Sequence, residues 1–553
     1  MKQESRSLIA VALSVAVFII WYSFFSPKPV EKGQQQPAAV GTTTQAATQQ
    51  AAGEKTTGDS PKTIDQGQET SDVQANIPIQ TNVLETDLYK ITFTNDGGIP
   101  ASWEMKKFVA NGTKEKKETP VNIVSSTLAA YGEKVPFVGI PDRPRYKLAE
   151  LDAGKIVYLW SSKDWDIRKI YKLNKENYLV DLTIGITNKG ASPVMGSLVV
   201  FEQQMVPKEE KRGMLGFLKG PENIFQPVYY VNGKVNRAFE KINDGNLLWA
   251  GIEDRYFINA LIPKGLGGSV PWLETEQTLN PDGTRVLKAS IKTPEMSFLP
   301  RTESVMNLNI YGGPKEMENL KMAAVSLDKA IDYGWFSVIA IPILYILKFL
   351  YSVIHNYGVA IILLTIFVKL LLNPLSKHSM KSMKAMQQLQ PRLKELKEKY
   401  KGDKERLNVE TMQLFKANKV NPMGGCLPML LQMPIYIALY KVLWNSIELY
   451  RAPFFWFYKD LSAPDPTFIM PVLMGVAMWL QQKMTPSVTA DPTQAKMMQI
   501  MPIMFTAFML FLPAGLVLYI FVNTIMGVAQ QWMMNKDLRL RDVLRGQFSR
   551  TSA

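Results

Sequence analysis

Tyr357-Gly-Val-Ala-Ile-Ile-Leu-Leu-Thr-Ile-Phe-Val-Lys369-Leu-Leu-Leu-Asn-Pro374-Leu375 is the stretch on which the reading of the whole chain turns. At about 1.5 Å per residue, a helix of this length crosses a bilayer core of about 30 Å. It carries one full charge, Lys369. A lysine at membrane depth costs roughly 3 kcal/mol or more unless it reaches water or a partner, which makes Lys369 a functional candidate. A plainer alternative stays open. Lys369 lies about two turns from the end of the stretch, and its stem can lift the amine to the interface.

Working outward, residues 376–420 carry twelve Lys or Arg against five acids, net +7. The positive-inside rule puts them in the cytoplasm. Met380, Met383, Met386, Leu389, Leu393 and Leu396 recur at helical steps, Lys401-Gly-Asp403 is a turn, and Leu407–Lys419 is a second helix. The segment 377–420 is therefore expected to be a basic helical hairpin. A solvated connector would look the same. The net charge favours a docking arm for ribosomal RNA or anionic lipid.

At the start of the chain, Lys2 and Arg6 precede a nearly apolar run, Leu8 to Phe25, with no small-x-small cleavage site directly after it. Residues 1–25 read as an uncleaved signal anchor with a cytoplasmic N-terminus. Residues 26–78, rich in Gln, Thr, Ala, Gly, Pro and Lys, cannot bury a core and are expected to be a disordered tether. Residues 79–325 alternate like strands, as in Tyr89-Lys-Ile-Thr-Phe-Thr and Tyr178-Leu-Val-Asp-Leu-Thr-Ile-Gly-Ile-Thr. Turn signals such as Asn95-Asp-Gly-Gly, Asn232-Gly and Pro281-Asp-Gly separate them. A large antiparallel β-sandwich follows, exported by the anchor, with its acids mostly on solvated faces.

Residues 326–355 are apolar enough to span, but an odd number of crossings must separate the exported domain from the basic segment. With 356–376 as one crossing, the preceding segment, interrupted by Pro342 and carrying Lys348, is placed as an interfacial helix on the outer leaflet. Further crossings are expected at 421–444, 467–483, 499–511 and 514–532, with 445–466 an external loop. The tail 533–553 is basic and cytoplasmic. The fold class is thus multi-domain: a polytopic α-helical membrane core of six transmembrane helices, five of them forming the working bundle, plus the β-sandwich.

The chain has 553 residues and a net charge of +14, but only one cysteine, Cys426, and two histidines, His355 and His378. An intramolecular disulfide is excluded, and thiolate metal clusters and histidine-based catalytic sites have too few residues. The sequence has no phosphate-binding Gly-x-x-x-x-Gly-Lys-Ser/Thr loop and no dinucleotide fingerprint. The expectation is no enzyme, no cofactor and no metal.

The run Asn421-Pro-Met-Gly-Gly-Cys-Leu-Pro428-Met-Leu-Leu-Gln432-Met-Pro434-Ile435 resembles the signature of YidC-type membrane protein insertases, the bacterial branch of the Oxa superfamily. Asn373-Pro374-Leu375, Asp491-Pro492, Phe511-Leu-Pro513-Ala-Gly515-Leu-Val-Leu-Tyr519 and Tyr311-Gly-Gly-Pro314-Lys315 fall in the right order for the Gram-negative type with a large periplasmic domain. The resemblance covers nearly the whole chain. It implies an inner-membrane protein, multi-pass, with the β-domain periplasmic and both termini cytoplasmic. It also implies an insertase and chaperone for inner-membrane proteins, acting alone or with the Sec translocon. Its partners would be nascent inner-membrane proteins, the ribosome at the basic hairpin and tail, and anionic lipid, with no DNA.

The resemblance further implies a water-filled groove, open to the cytoplasm and to lipid, in which one basic residue attracts acidic client segments. Lys369 falls at that position. The common bacterial pattern has arginine there, so this chain keeps the point charge and loses the planar bidentate fork. Thr365 precedes it by one turn on the same face. For Thr365 and Gln432 the resemblance favours groove lining. Tyr519 and Asn523, another i,i+4 pair, are equally readable as interhelical hydrogen-bond glue worth roughly 0.6 kcal/mol each. Nineteen of the 28 methionines lie at or after Met380, mostly gap-filling, with a minority suited to a client surface.

Two other functions compete. A secondary transporter or channel would use Lys369 as a counter-ion, but such proteins show paired halves with broken helices, and none is visible here. An anchored sugar-binding or sugar-modifying β-domain is the other, though the domain lacks histidine for acid/base work.

Overall fold

The computed structural model describes residues 77–535 other than 111–118, 125–130, 135–139, 141–142, 207–224, 244, 265–271, 419, 421–426, 456–457 and 485–491. The anchor at 1–25, nearly all of the 26–78 tether, Cys426 with the start of its signature run, and the tail from 536 lie outside the described residues.

The alternating segments form antiparallel sheets. The largest has nine strands in the order Lys234–Asn236, Gln226–Val231, Leu247–Glu253, Phe257–Lys264, Glu303–Pro314, Leu179–Asn188, Trp165–Leu173, Lys155–Ser161 and Lys147–Asp152. A five-stranded sheet, built on Val199–Val206, Trp272–Leu279 and Arg285–Lys292, faces part of it. Val206, Leu287 and Ala289 pack against Ile252 of the large sheet. A four-stranded sheet of Thr81–Glu85, Tyr89–Thr94, Ile99–Val109 and Pro120–Asn122 seats on the large sheet through aromatic contacts, Tyr89 on Tyr178 and Phe93 on Tyr171.

Local sequence accounts for these elements. Asn232 and Gly233 both have positive φ, 51° and 83°, which suits the two-residue hairpin joining Gln226–Val231 to Lys234–Asn236. In Trp165–Leu173 the inward positions are Trp165, Ile167, Lys169 and Tyr171. The lysine sits among hydrophobic residues because its amine donates to the Gly97 carbonyl and lies 4.7 Å from the Tyr146 ring centre. Glu202 and Glu253 are exceptions to the expectation that most of the acids lie on solvated faces, being buried between elements. Alternation alone cannot show this, since a second layer covers the face that would otherwise meet water.

Nine helices follow among the described residues. They are α1 (Met317–Ala323), α2 (Ser337–Ile354), α3 (Tyr357–Gln388), α4 (Gln390–Lys399), α5 (Lys404–Ala417), α6 (Leu427–Asn445), α7 (Ile469–Met484), α8 (Pro492–Met509) and α9 (Ala514–Asn535). Among the described residues, three stretches are long and apolar enough to cross a membrane: Gly334–Ile354, Tyr357–Pro374 and Ala514–Met533. The first is the segment that the charge argument lays flat on the outer leaflet, and by length alone it could cross.

Two details differ from the sequence reading. Pro342 does not interrupt α2, which is continuous through it. Likewise α3 does not stop at the membrane edge near Pro374 but runs on to Gln388. Residues 376–388 are mostly Lys, Met, Ala and Gln, strong helix formers, so the apolar pattern ends where the helix does not.

The basic hairpin is a compact unit of its own. α4 and α5 pack through Leu389, Leu393 and Phe415, joined by Met386 from the end of α3. Gly402, at φ 106°, makes the turn, and the Asp403 carboxylate caps α5 by accepting from the Arg406 N–H at 2.9 Å.

Candidate functional site

On α3, Tyr357, Ala360, Ile361, Leu364, Thr365 and Lys369 form one buried stripe at three- and four-residue steps. Leu363, Phe367, Leu370 and Leu371 are exposed on the remaining surface. Lys369 therefore lies on the bundle-facing side and is 9 % exposed. It makes no hydrogen bond or ion pair with any described residue. The helices around it cannot supply a counter-charge, because α3, α6, α7, α8 and α9 contain no Asp or Glu. A buried cation without a partner in low dielectric attracts any carboxylate that can reach it. Thr365, one turn away, donates its hydroxyl to the Ile361 carbonyl of its own helix at 2.6 Å. Its lone pairs stay on the stripe that ends at Lys369.

The other three expected residues come together between α6 and α9. Gln432 donates its amide to the Asn523 side-chain carbonyl at 2.8 Å. The Asn523 amide in turn donates to the Tyr436 hydroxyl. The Tyr436 and Tyr519 rings meet edge to face with centres 5.5 Å apart. The buried Tyr519 hydroxyl has no hydrogen-bond partner among the described residues. No bond joins Thr365 or Lys369 to this cluster among the described residues, so the site is two polar surfaces rather than one network.

Sequence reading missed Tyr436, Thr524 and Gln531. Thr524 donates to the Ile520 carbonyl at 2.7 Å, and Gln531 is buried beside the Met484 carbonyl. A signal was available. Tyr519, Asn523, Gly527 and Gln531 repeat at four-residue steps and so share one face of α9.

The end of the bundle nearest the β-domain is closed by the segment after α6. Ile447, Leu449, Ala452 and Leu461 are buried there. Asn356 donates to the Phe454 carbonyl at 2.8 Å, just before α3. The Ala514 and Gly515 N–H groups, unpaired at the start of α9, donate to the carbonyls of Ala463 and Leu461 at 2.8 and 2.9 Å. Asp465 accepts from the Met470 N–H at 2.8 Å and so caps α7.

Residues 349–541 match the family described as 60Kd inner membrane protein, and residues 81–346 match the YidC periplasmic domain. The chain is 37% identical to the membrane protein insertase YidC of Syntrophus aciditrophicus, covering 97% of this chain and 100% of that one. It is also 37% identical to the membrane protein insertase YidC of Geotalea uraniireducens, over 97% of this chain and 99% of that one. Among solved structures, an active YidC insertase crystal structure with its first transmembrane domain resolved covers 82% of this chain and 94% of its own, at 19% identity and a TM-score of 0.36. A putative aldose 1-epimerase from Escherichia coli K12 covers 43% of this chain and 100% of its own, at 8% identity and a TM-score of 0.29.

Proposed function

The chain belongs to the YidC family of membrane protein insertases, and from that premise we propose how its bundle handles a client. Its place is the inner membrane, multi-pass, with a periplasmic β-domain, and its activity is not enzymatic. In our reading the bundle-facing surface of α3 is one wall of a hydrophilic groove, and Lys369 is its electrostatic centre. The acidic external segment of an incoming client is drawn to the lysine. That segment then passes outward while the apolar client helix slides into lipid. The carrying observation is the burial of Lys369 on the bundle side, unpartnered among the described residues, within helices that hold no acid. Thr365, Gln432, Tyr519 and Asn523 give the client's polar backbone places to exchange hydrogen bonds on its way. The apolar closure at Ile447, Leu449 and Leu461 keeps the groove shut on the periplasmic side.

Six crossings with both termini cytoplasmic remain the topology we favour. Lys348 of α2 pairs with Glu318 of α1 at 3.0 Å and with Glu448, in the closing segment after α6, at 3.3 Å. If α2 crossed the bilayer, Lys348 would lie about 20 Å along it from Gly334, too deep to keep two partners on the periplasmic side. Trp335, Val338, Phe349 and Val353 are exposed, as suits a helix lying in the interface. The net-basic hairpin is assigned to the ribosome and anionic lipid, and cooperation with the Sec translocon would occur at the membrane core.

The test exchanges charge on both partners. A client with an acidic external segment should insert with Lys369→Arg and fail with Lys369→Glu, and reversing the client's acids to lysines should restore insertion by Lys369→Glu. Equal insertion by all combinations would remove the charge from the mechanism.

A further inference from the structure

The junction between the β-domain and the bundle holds more buried charge than a tether requires. Glu253, 1 % exposed, ends the strand Leu247–Glu253. Its carboxylate accepts from Arg237 Nε at 2.6 Å, Gln226 Nε2 at 2.9 Å and Lys315 Nζ at 3.2 Å. Arg237 also donates to the Ala330 carbonyl at 2.7 Å, two residues before Asp332. The Asp332 carboxylate accepts from Lys441 Nζ at 3.1 Å, and its carbonyl accepts from the Asn445 amide at 2.7 Å. Charges of alternating sign thus run from Lys315 through Glu253, Arg237 and Asp332 to Lys441, on α6.

The same strand end reaches α6 a second way. Arg255 Nε donates to the Trp444 carbonyl at 2.8 Å, with the guanidinium 4.0 Å from the Trp444 ring centre and 4.7 Å from that of Tyr256. The Trp444 carbonyl is one of the last four of α6, which have no donor within the helix and lie at its negative end. Arg255 Nη2 is buried without a hydrogen bond among the described residues. The guanidinium is directed at a helix end rather than at a carboxylate.

We propose that Arg255 and Asp332 are positioning residues that hold the periplasmic end of α6 in register with the β-domain. The proposal rests on the groove reading in that α6 carries Gln432 and Tyr436. The fourteen residues from Gln432 to Asn445 form a rod of about 20 Å, so a displacement at the grip reaches the Gln432–Asn523 bond. The position of the β-domain is thereby felt at the polar cluster.

The experiment is amide hydrogen exchange on the full chain in lipid nanodiscs, read over 432–445 and over the strands 247–264. Arg255→Ala should speed exchange in 441–445 by about tenfold or more, with a smaller rise at 432–436. Asp332→Lys and Lys441→Asp should each do the same, and the two together should restore the original protection. Unchanged exchange at 441–445 in Arg255→Ala, or a double reversal no better than its singles, would overturn the proposal. If Arg255→Ala loosens the strands themselves, the reversal pair, which lies outside the sheet, decides. Exchange is read without a client, so failure of the grip and failure of the groove charge are separate outcomes.

Discussion

Lys369 illustrates how far one residue can be read. Its helix, its isolation as a full charge and its family position were visible in the sequence. Which way it faces was not, because the stretch is apolar all round and its periodicity is weak. Burial supports the groove reading we propose: the lysine ends a buried stripe, while Leu363, Phe367, Leu370 and Leu371 are exposed on the rest of the helix. Lys369→Arg should therefore keep client insertion near the original level, since the attraction needs a point charge rather than a fork. Insertion assays on clients with acidic segments check this, and a loss as deep as that of Lys369→Glu would show that the lysine's size or proton release matters instead.

Glu202 was not legible as a special residue, because its strand alternates as a half-solvated strand should. In the folded domain burial pushes its carboxyl well above the ordinary carboxylate range, against bonds from the Ile252 N–H and the Asn259 amide. A raised folded value means that stability is full below the unfolded carboxylate pKa and falls as pH rises toward the folded one. Glu202→Gln should therefore raise the domain's thermal midpoint at pH 7 and flatten its decline above about pH 4.5. Glu253 behaves oppositely. Burial alone would raise it, but Lys315 and Arg237 overcome burial and hold it below the ordinary range. Its contribution is present at neutral pH and lost on acidification. An unchanged pH profile in Glu202→Gln would contradict the assignment.

At the scale of elements, the helical stripe of the hairpin and its Lys401-Gly-Asp403 turn were readable from spacing, and Met386, Leu389 and Leu393 do form its core. The partner from the other arm, Phe415, was not, because pairing between helices leaves no mark in either helix alone. Phe415→Ala should remove much of that small core, a loss of about 3 kcal/mol, seen as faster exchange in α4 and α5. Deleting 378–419 should weaken ribosome-dependent delivery of clients, and unchanged co-translational insertion would remove the docking role. The continuity of α3 past Pro374 shows the same limit from another side. Hydropathy marks the edge of the membrane, and helix propensity, not hydropathy, decides where the helix ends.

For the molecule as a whole, charge balance between segments underlies the topology we propose, and a sheet-rich domain beside apolar helices followed from composition and alternation. The grip of Arg255 and Asp332 on α6 could not be foreseen, since it joins residues 189 and 109 positions apart. The placement of α2 is open to a direct check. With Cys426 replaced by serine, Lys348→Cys should react with a membrane-impermeant maleimide added from the periplasmic side, and protection from both sides would make α2 a crossing.

The central claim is tested most directly by reconstituting the chain into liposomes and adding a short radiolabelled client with an acidic external tail, without nucleotide. Protease protection of the client is scored for Lys369 and for Lys369→Ala. Protection that depends on the protein and falls several-fold with Lys369→Ala is the expected result. Protection that is equal in the two would contradict a groove working through the charge of Lys369.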